Sequence, residues 1–216
     1  MSDDTGFESP NAASLQYADT FAPEDEVLSR AREQAIALGG RTVSVGTGSI
    51  LRFLASATGA RHAVEVGTGT GLASLCLLQG MGPEGVLTSI DVEVDHQHVA
   101  KETLTAGGCK PTSFRLIAGR ALDVLPRLTD AAYDLVLVSS DPAEYPFHLE
   151  QSLRLLRPGG VVAFTAGFLD GAVADPAQRD ETTTAVRDLE REIQDNERLT
   201  QALIPVGDGL LVAVVN

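Results

Sequence analysis

Ten residues, His62 to Gly71, constrain the fold more than any other part of the chain; they read HAVEVGTGTG. Ala63, Val64 and Val66 make an apolar strand, which runs into a turn holding Gly67, Gly69 and Gly71, and the helical run Leu72–Gln79 (LASLCLLQ) follows. A strand, a glycine turn and a helix N-terminus bring bare backbone close to a ligand. A second apolar strand, VLTSID, ends on Asp91, 20 residues beyond Gly71. A carboxylate at that strand end is placed to accept ribose hydroxyls, as in nucleotide-binding α/β folds. The dinucleotide fingerprint needs glycines at its first, third and sixth positions. Here they fall at the first, third and fifth, and the sixth is Leu72. Glu65, two residues before the first glycine, disfavours a pyrophosphate and suits a cationic ligand. Both features argue against a nicotinamide oxidoreductase. A tight βα turn in some other doubly wound protein is the alternative.

Beyond Arg61 apolar strands and helical periods alternate. The patterns predict strands near 62–66, 86–90, 114–118, 133–138, 160–165, 199–204 and 209–215, and helices near 72–80, 94–106, 121–127, 145–156 and 177–194. Such alternation implies an α/β fold with a mostly parallel sheet and helices on both faces. The last two strands are joined by PVGDG (Pro205–Gly209), which suits an antiparallel hairpin. Ahead of the first strand, Val27, Ala31, Ala35 and Leu38 recur at helical spacing, and a second helix starts near Gly48 with Ile50, Leu51, Leu54 and Ala55 inward. These two helices, in 24–58, form a predicted cap. Residues 1–23 are acidic, polar and aperiodic, and read as a flexible tail before a single domain over 24–216.

Composition narrows the function. The 216 residues fit one large domain, and the net charge of −14 argues against nucleic acid as a partner. No apolar run reaches the roughly 18–20 residues of a membrane span, and no signal peptide opens the sequence. Cys76 and Cys109 are the only cysteines and have no metal-ligand spacing, so a reducing cytoplasm is expected.

Several segments together resemble the bacterial O-methyltransferases of the catechol and caffeoyl-CoA type, most closely the mycobacterial-type members. They are VEVGTGTG, LTSIDVEVDHQHVAKETLTAGG, LIAGRALDVLPRL, YDLVLVSSDPAEYPFHLEQSLRLLRPGGVV, GAVADP and NERLTQALIPVGDGLLVAV. The resemblance implies a class I methyltransferase, Rossmann-like fold with seven strands, S-adenosylmethionine as cofactor, a small-molecule acceptor and a homodimer. Carried over residue by residue, it implies that Val43 and Ser44 approach the methionine part through their backbone. Glu65 receives the ammonium or lines its pocket, with Gly67 and Thr68 beside the amino acid moiety. Asp91 takes the ribose hydroxyls, Val92 packs on adenine, and Gly119, Arg120 and Ala121 flank the adenine edge. Ala73 stands where the family has a cofactor-binding Ser, and Ser74 points elsewhere on the helix. Asp141 keeps the family's second acid after the fourth strand and either faces the cofactor, serves as a weak base, or forms a turn before Pro142.

The catalytic half departs from the family. Its Asp-Ala-Asp-Lys is Ser139-Ser140-Asp141-Pro142 here, and its Asp-Asn after the fifth strand is Thr165-Ala166. Three side-chain ligands of the family's divalent cation are therefore replaced, and its lysine base is a proline. The expectation is no divalent metal, Ser139 facing the substrate, and no side chain singled out as the base. His148 reads as a packing or surface residue, His96 and His98 as solvated, Asp170 and Asp175 as loop-forming, Arg179 and Arg187 as surface charges, and Cys76 as core. Two readings stay open: a metal-free methyltransferase, and a non-catalytic protein that keeps the cofactor fold as a sensor or scaffold.

Overall fold

The computed structural model describes residues 10–216, and the predicted strands form one sheet in it. They are β1 (His62–Val66), β2 (Val86–Asp91), β3 (Phe114–Ala118), β4 (Tyr133–Val138), β5 (Leu156–Phe164), β6 (Leu199–Ile204) and β7 (Leu210–Val215). Their order is β3-β2-β1-β4-β5-β7-β6. β1 to β5 run parallel, and β7 is antiparallel to both β5 and β6. The helices are α1 (Ala12–Asp19), α2 (Glu26–Ala37), α3 (Val45–Ala57), α4 (Leu72–Met81), α5 (Val94–Ala106), α6 (Ala121–Val124), α7 (Tyr145–Leu155) and α8 (Glu181–Asp195).

Alternate residues of the central strands feed two cores. Ala63, Leu87, Leu135 and Ala163 pack with α3 and α4, whereas Val64, Val66, Val136, Val162 and Phe164 pack with α7 and α8. Both faces are covered, which is why these strands read as nearly continuous apolar runs. Strand order reverses between β1 and β4, and such a switch point opens a crevice at the carboxyl ends of the strands. Among the described residues no helix is long and apolar enough to cross a membrane.

Several boundaries differ from the pattern-based expectation, and local hydrogen bonds explain them. α3 begins at Val45 rather than near Gly48, because Ser44 caps it by accepting from the Thr47 N–H at 3.1 Å. α8 begins at Glu181 rather than 177, because Asp180 accepts from the Thr183 N–H at 2.9 Å and from its hydroxyl at 2.7 Å. β5 begins at Leu156, which pairs with Tyr133 before the register jumps to Leu135 opposite Val161 across a bulge. The expected tail needs a larger correction. Its residues 1–9 lie outside the described ones, but Ala12–Asp19 is helical, with Asn11 accepting from the Ser14 N–H at 2.9 Å. α1 buries none of its residues, yet Asp19 accepts from the Ser44 hydroxyl at 2.5 Å and ties α1 to the start of α3.

Candidate active site

A cavity of about 640 Å³ lies at the switch point, at the carboxyl ends of β1, β2, β4 and β5. That is within the range of small-molecule sites. The glycine turn forms one wall. Gly67 holds φ +94°, and a Cβ there would lie 2.8 Å from the Ser139 carbonyl carbon and oxygen. Only glycine permits both that backbone and that approach. The turn is fastened to the loop after β4: the Ser139 N–H donates to the Val66 carbonyl at 2.8 Å and its hydroxyl to the Gly67 carbonyl at 2.9 Å.

Asp91 closes the turn from the end of β2. Its Oδ2 accepts from the Gly69 N–H at 2.9 Å and its Oδ1 from the Glu93 N–H at 2.9 Å. A carboxylate has about four acceptor sites, so each oxygen keeps capacity for a ligand hydroxyl. His96, expected to be solvated, also lines the cavity, with Nδ1 3.8 Å from Asp91 Oδ1. Val92 stands at the rim with 60% of its surface exposed, and Ala121 and Gly119 line the adjoining wall.

Of the other residues singled out from sequence, Val43, Gly67, Thr68, Ala73, Ser139 and Asp141 all line this cavity. Val43 is held by Arg32, whose guanidinium donates to its carbonyl at 2.5 Å and to Thr42 Oγ1 at 2.9 Å while pairing with Glu24. Asp141 opens a short 3-10 turn, Pro142–Glu144, and its Oδ1 accepts from the Ala143 N–H at 3.0 Å.

Two residues stand apart. Arg120 is exposed at the start of α6 and does not line the cavity; its backbone turns the chain into the helix, which carries the side chain outward. Glu65 is fully buried and lies behind the wall. Strand parity points it toward α4, where its Oε2 accepts from the Ser74 hydroxyl and, at 2.6 Å, from the Ser89 hydroxyl. Ser89 in turn lies 2.6 Å from the Thr68 hydroxyl. Burial outweighs the two serine hydrogen bonds and pushes the Glu65 carboxyl from 4.5 up to about 7. Glu65, expected to receive the ammonium or line its pocket, is therefore absent from the cavity lining and meets Thr68, which lines it, through Ser89. Ser74 does point away from the cavity, and Glu65 is what it meets.

The far end of the cavity is formed by Ser139, Ser140, Asp141, Tyr145, Thr165, Ala166 and Asp208. The Tyr145 ring packs on Phe164 with centroids 5.0 Å apart; its buried hydroxyl lies beside the Thr165 side chain and the Ala166 backbone, and burial holds its pKa well above the ordinary phenol range. A hard dication fits poorly here. Ser139 already donates to a carbonyl and Ala166 offers a methyl, while the carboxylates at this end, Asp141, Glu144 and Asp208, come from two separate segments and do not converge with a third ligand. Among the described residues no three His, Cys, Asp or Glu side chains converge as a metal-holding group. Mg²⁺ and Ca²⁺ sites are built from several carboxylates and carbonyls.

Residues 18–215 match the family model described as O-methyltransferase. The chain belongs to the O-methyltransferase family. It is 45% identical over 215 residues to a curated relative from Mycobacterium marinum described as "Putative O-methyltransferase", covering 99% of this chain and 96% of the relative. The crystal structure of the O-methyltransferase TomG from Streptomyces achromogenes, involved in tomaymycin synthesis and solved in complex with SAM, superposes with a TM-score of 0.85. It is 30% identical, with 95% of this chain and 96% of that one covered. A protein from Corynebacterium glutamicum is similar at 32% identity and a TM-score of 0.86, covering 93% and 94%. The class I methyltransferase fold implied by the resemblance is therefore the fold this family member has.

Some residues around the site went unnoticed in the sequence. Arg41 lines the cavity and pairs with Asp170 at 3.0 Å, with Asp208 3.6 Å away. The three lie on the cap, the loop after β5 and the β6–β7 turn, and no local pattern links them. Arg187, read as a surface charge, donates to the Ala172 carbonyl at 2.9 Å and the Val173 carbonyl at 3.0 Å, pinning the loop after β5. His148, read as packing or surface, is fully buried behind Ser140.

Proposed function

We propose that this O-methyltransferase takes a methyl group from S-adenosylmethionine and places it on a hydroxyl oxygen of a small-molecule acceptor, without a divalent cation. One observation carries the reading. A single cavity joins a glycine turn closed by Asp91 to the segments after β4 and β5, where Ser139, Thr165 and Ala166 stand at the family's cation-ligand positions.

When bound, S-adenosylmethionine supplies a methyl group already activated on a sulfonium. The protein then has to orient two reactants in line and leave the acceptor oxygen deprotonated. Asp91 receives the ribose hydroxyls on its remaining lone pairs. Val92, Gly119 and Ala121 cover the base. Gly67, Thr68, Ala73 and the Val43 backbone surround the amino acid end, and Glu65 supports Thr68 from behind through Ser89. Asp141 and Ser139 border the transfer point, with Tyr145 beneath them beside Thr165 and Ala166. With no cation to lower the acceptor's pKa, phenols that ionise readily are favoured. The reading includes a homodimer, supported by apolar side chains exposed on and beside the cap helices, among them Tyr17, Phe21 and Phe53; light scattering should give the mass of two chains.

Crystals grown with S-adenosylhomocysteine and excess Mn²⁺ test the metal part. The expected anomalous map is bare beside Ser139 and Thr165. An ordered ion within coordination distance of either, for example held by Asp141 and an inward-moving Asp170, overturns it.

A further inference from the structure

We infer that Ser140, His148 and Glu144 form a proton relay leading from the acceptor end of the cavity to the half-exposed carboxylate of Glu144, which holds the acceptor's proton equivalent during methyl transfer. The inference rests on the metal-free reading above and supplies the base which that reading lacks.

Ser140 lines the cavity between Ser139 and Asp141. Its Oγ is 3.4 Å from His148 Nδ1. His148 is fully buried one turn into α7, and its Nε2 has no hydrogen-bond partner. The nearest charged oxygen to that nitrogen is Oε2 of Glu144, at 3.7 Å, on a side chain that is 43% exposed. One imidazole thus bridges a cavity-lining hydroxyl and a carboxylate that reaches water. A buried nitrogen without a partner is uncommon in native structures and calls for a reason. Both contacts are longer than formed hydrogen bonds and need to tighten by about half an ångström, as catalytic contacts do when substrate is seated.

The charges around the ring explain how the relay works. Burial lowers the His148 pKa from 6.5 to about 4, and the opposing pull of Asp141 is smaller. Besides Asp141 and Glu144, its near neighbour is the Phe147 ring, 5.8 Å away between centroids. The imidazole is therefore neutral at working pH, a poor final proton store but a sound conductor. In the relay the acceptor hydroxyl gives its proton to Ser140 Oγ, and Ser140 gives its own to His148 Nδ1. His148 releases its Nε2 proton to Glu144, and the acceptor oxygen keeps its electron pair. Serine ends as a hydroxyl and imidazole as a neutral ring in its other tautomer. After product leaves, water entering the cavity takes the Nδ1 proton back through Ser140 and Glu144 returns its proton to Nε2. Glu144 thus stores one proton equivalent while the methyl group moves, and that equivalent leaves through the cavity once product has gone.

The test reads the ring directly in the whole protein, by nuclear magnetic resonance of ¹⁵N-labelled histidine near neutral pH. The expected signature is a neutral His148 with its proton on Nε2 and an Nδ1 signal that moves in Ser140→Ala. A proton on Nδ1, an imidazolium, or an Nδ1 signal unmoved by Ser140→Ala overturns the relay. In parallel, turnover of catechol should fall about tenfold or more in Ser140→Ala and in Glu144→Gln, with KM for S-adenosylmethionine unchanged. Wild-type rates in both variants also overturn it. These two side chains are not fully buried, so the outcome does not depend on whether a His148 variant folds. If the wild type turns over no phenol, the metal-free reading fails, while the ring signals still decide the relay.

Discussion

Asp91→Ala should weaken S-adenosylhomocysteine binding by about ten- to a hundredfold, corresponding to roughly 1.5–3 kcal/mol for hydrogen bonds to a charged group. The carboxylate has two roles in the structure. It offers the ligand acceptors at the end of β2, and it holds the glycine turn through the Gly69 N–H at 2.9 Å. Removing it takes away the ribose partner and frees the turn that has to lie against the cofactor. Asp91→Asn keeps a carbonyl acceptor and should fall between alanine and wild type. Calorimetric titration of the three proteins checks this; equal affinities would remove Asp91 from the site.

Gly67→Ala should destabilise the fold by about 2–5 kcal/mol, combining the strain of a non-glycine residue at positive φ with overpacking against fixed backbone. The added Cβ would sit 2.8 Å from backbone atoms of Ser139, which cannot retreat without opening the fastening between the ends of β1 and β4. For a chain of this length the midpoint of thermal unfolding should drop by roughly 5–15 °C. Gly69→Ala is the internal control. Its φ is also positive, at +50°, but a Cβ there meets nothing within 4 Å, so strain alone remains and the drop should be smaller. Similar melting temperatures for Gly67→Ala and wild type would mean that the close approach of turn and loop is not needed.

Much of this was legible in the chain because it is local. The apolar strand, the three glycines and Asp91 are short-range patterns, and their spacing placed a ligand turn at the right strand ends. What escaped depended on direction or distance. Glu65 is two residues from Gly67, but strand alternation puts it on the side of Ala63, facing α4 and the Ser74 hydroxyl rather than the cavity. Arg120 falls in a segment that lines the wall, yet as the first residue before α6 it projects outward. α1 was missed because it buries nothing, so no apolar period betrays it; its Asn11 cap was the available signal. His148 looks like an ordinary helical histidine until α7 docks and leaves Nε2 buried without a partner. Arg41, Asp170 and Asp208 are joined only by tertiary structure.

The central claim is methyl transfer without a cation, and turnover in the presence of a chelator tests it most directly. Methyl-labelled S-adenosylmethionine should be incubated with the protein and a panel of catechols and other phenols, once in EDTA and once in excess Mg²⁺. The account predicts labelled product at the same rate in both. Product formation abolished by EDTA and restored by Mg²⁺ would contradict it.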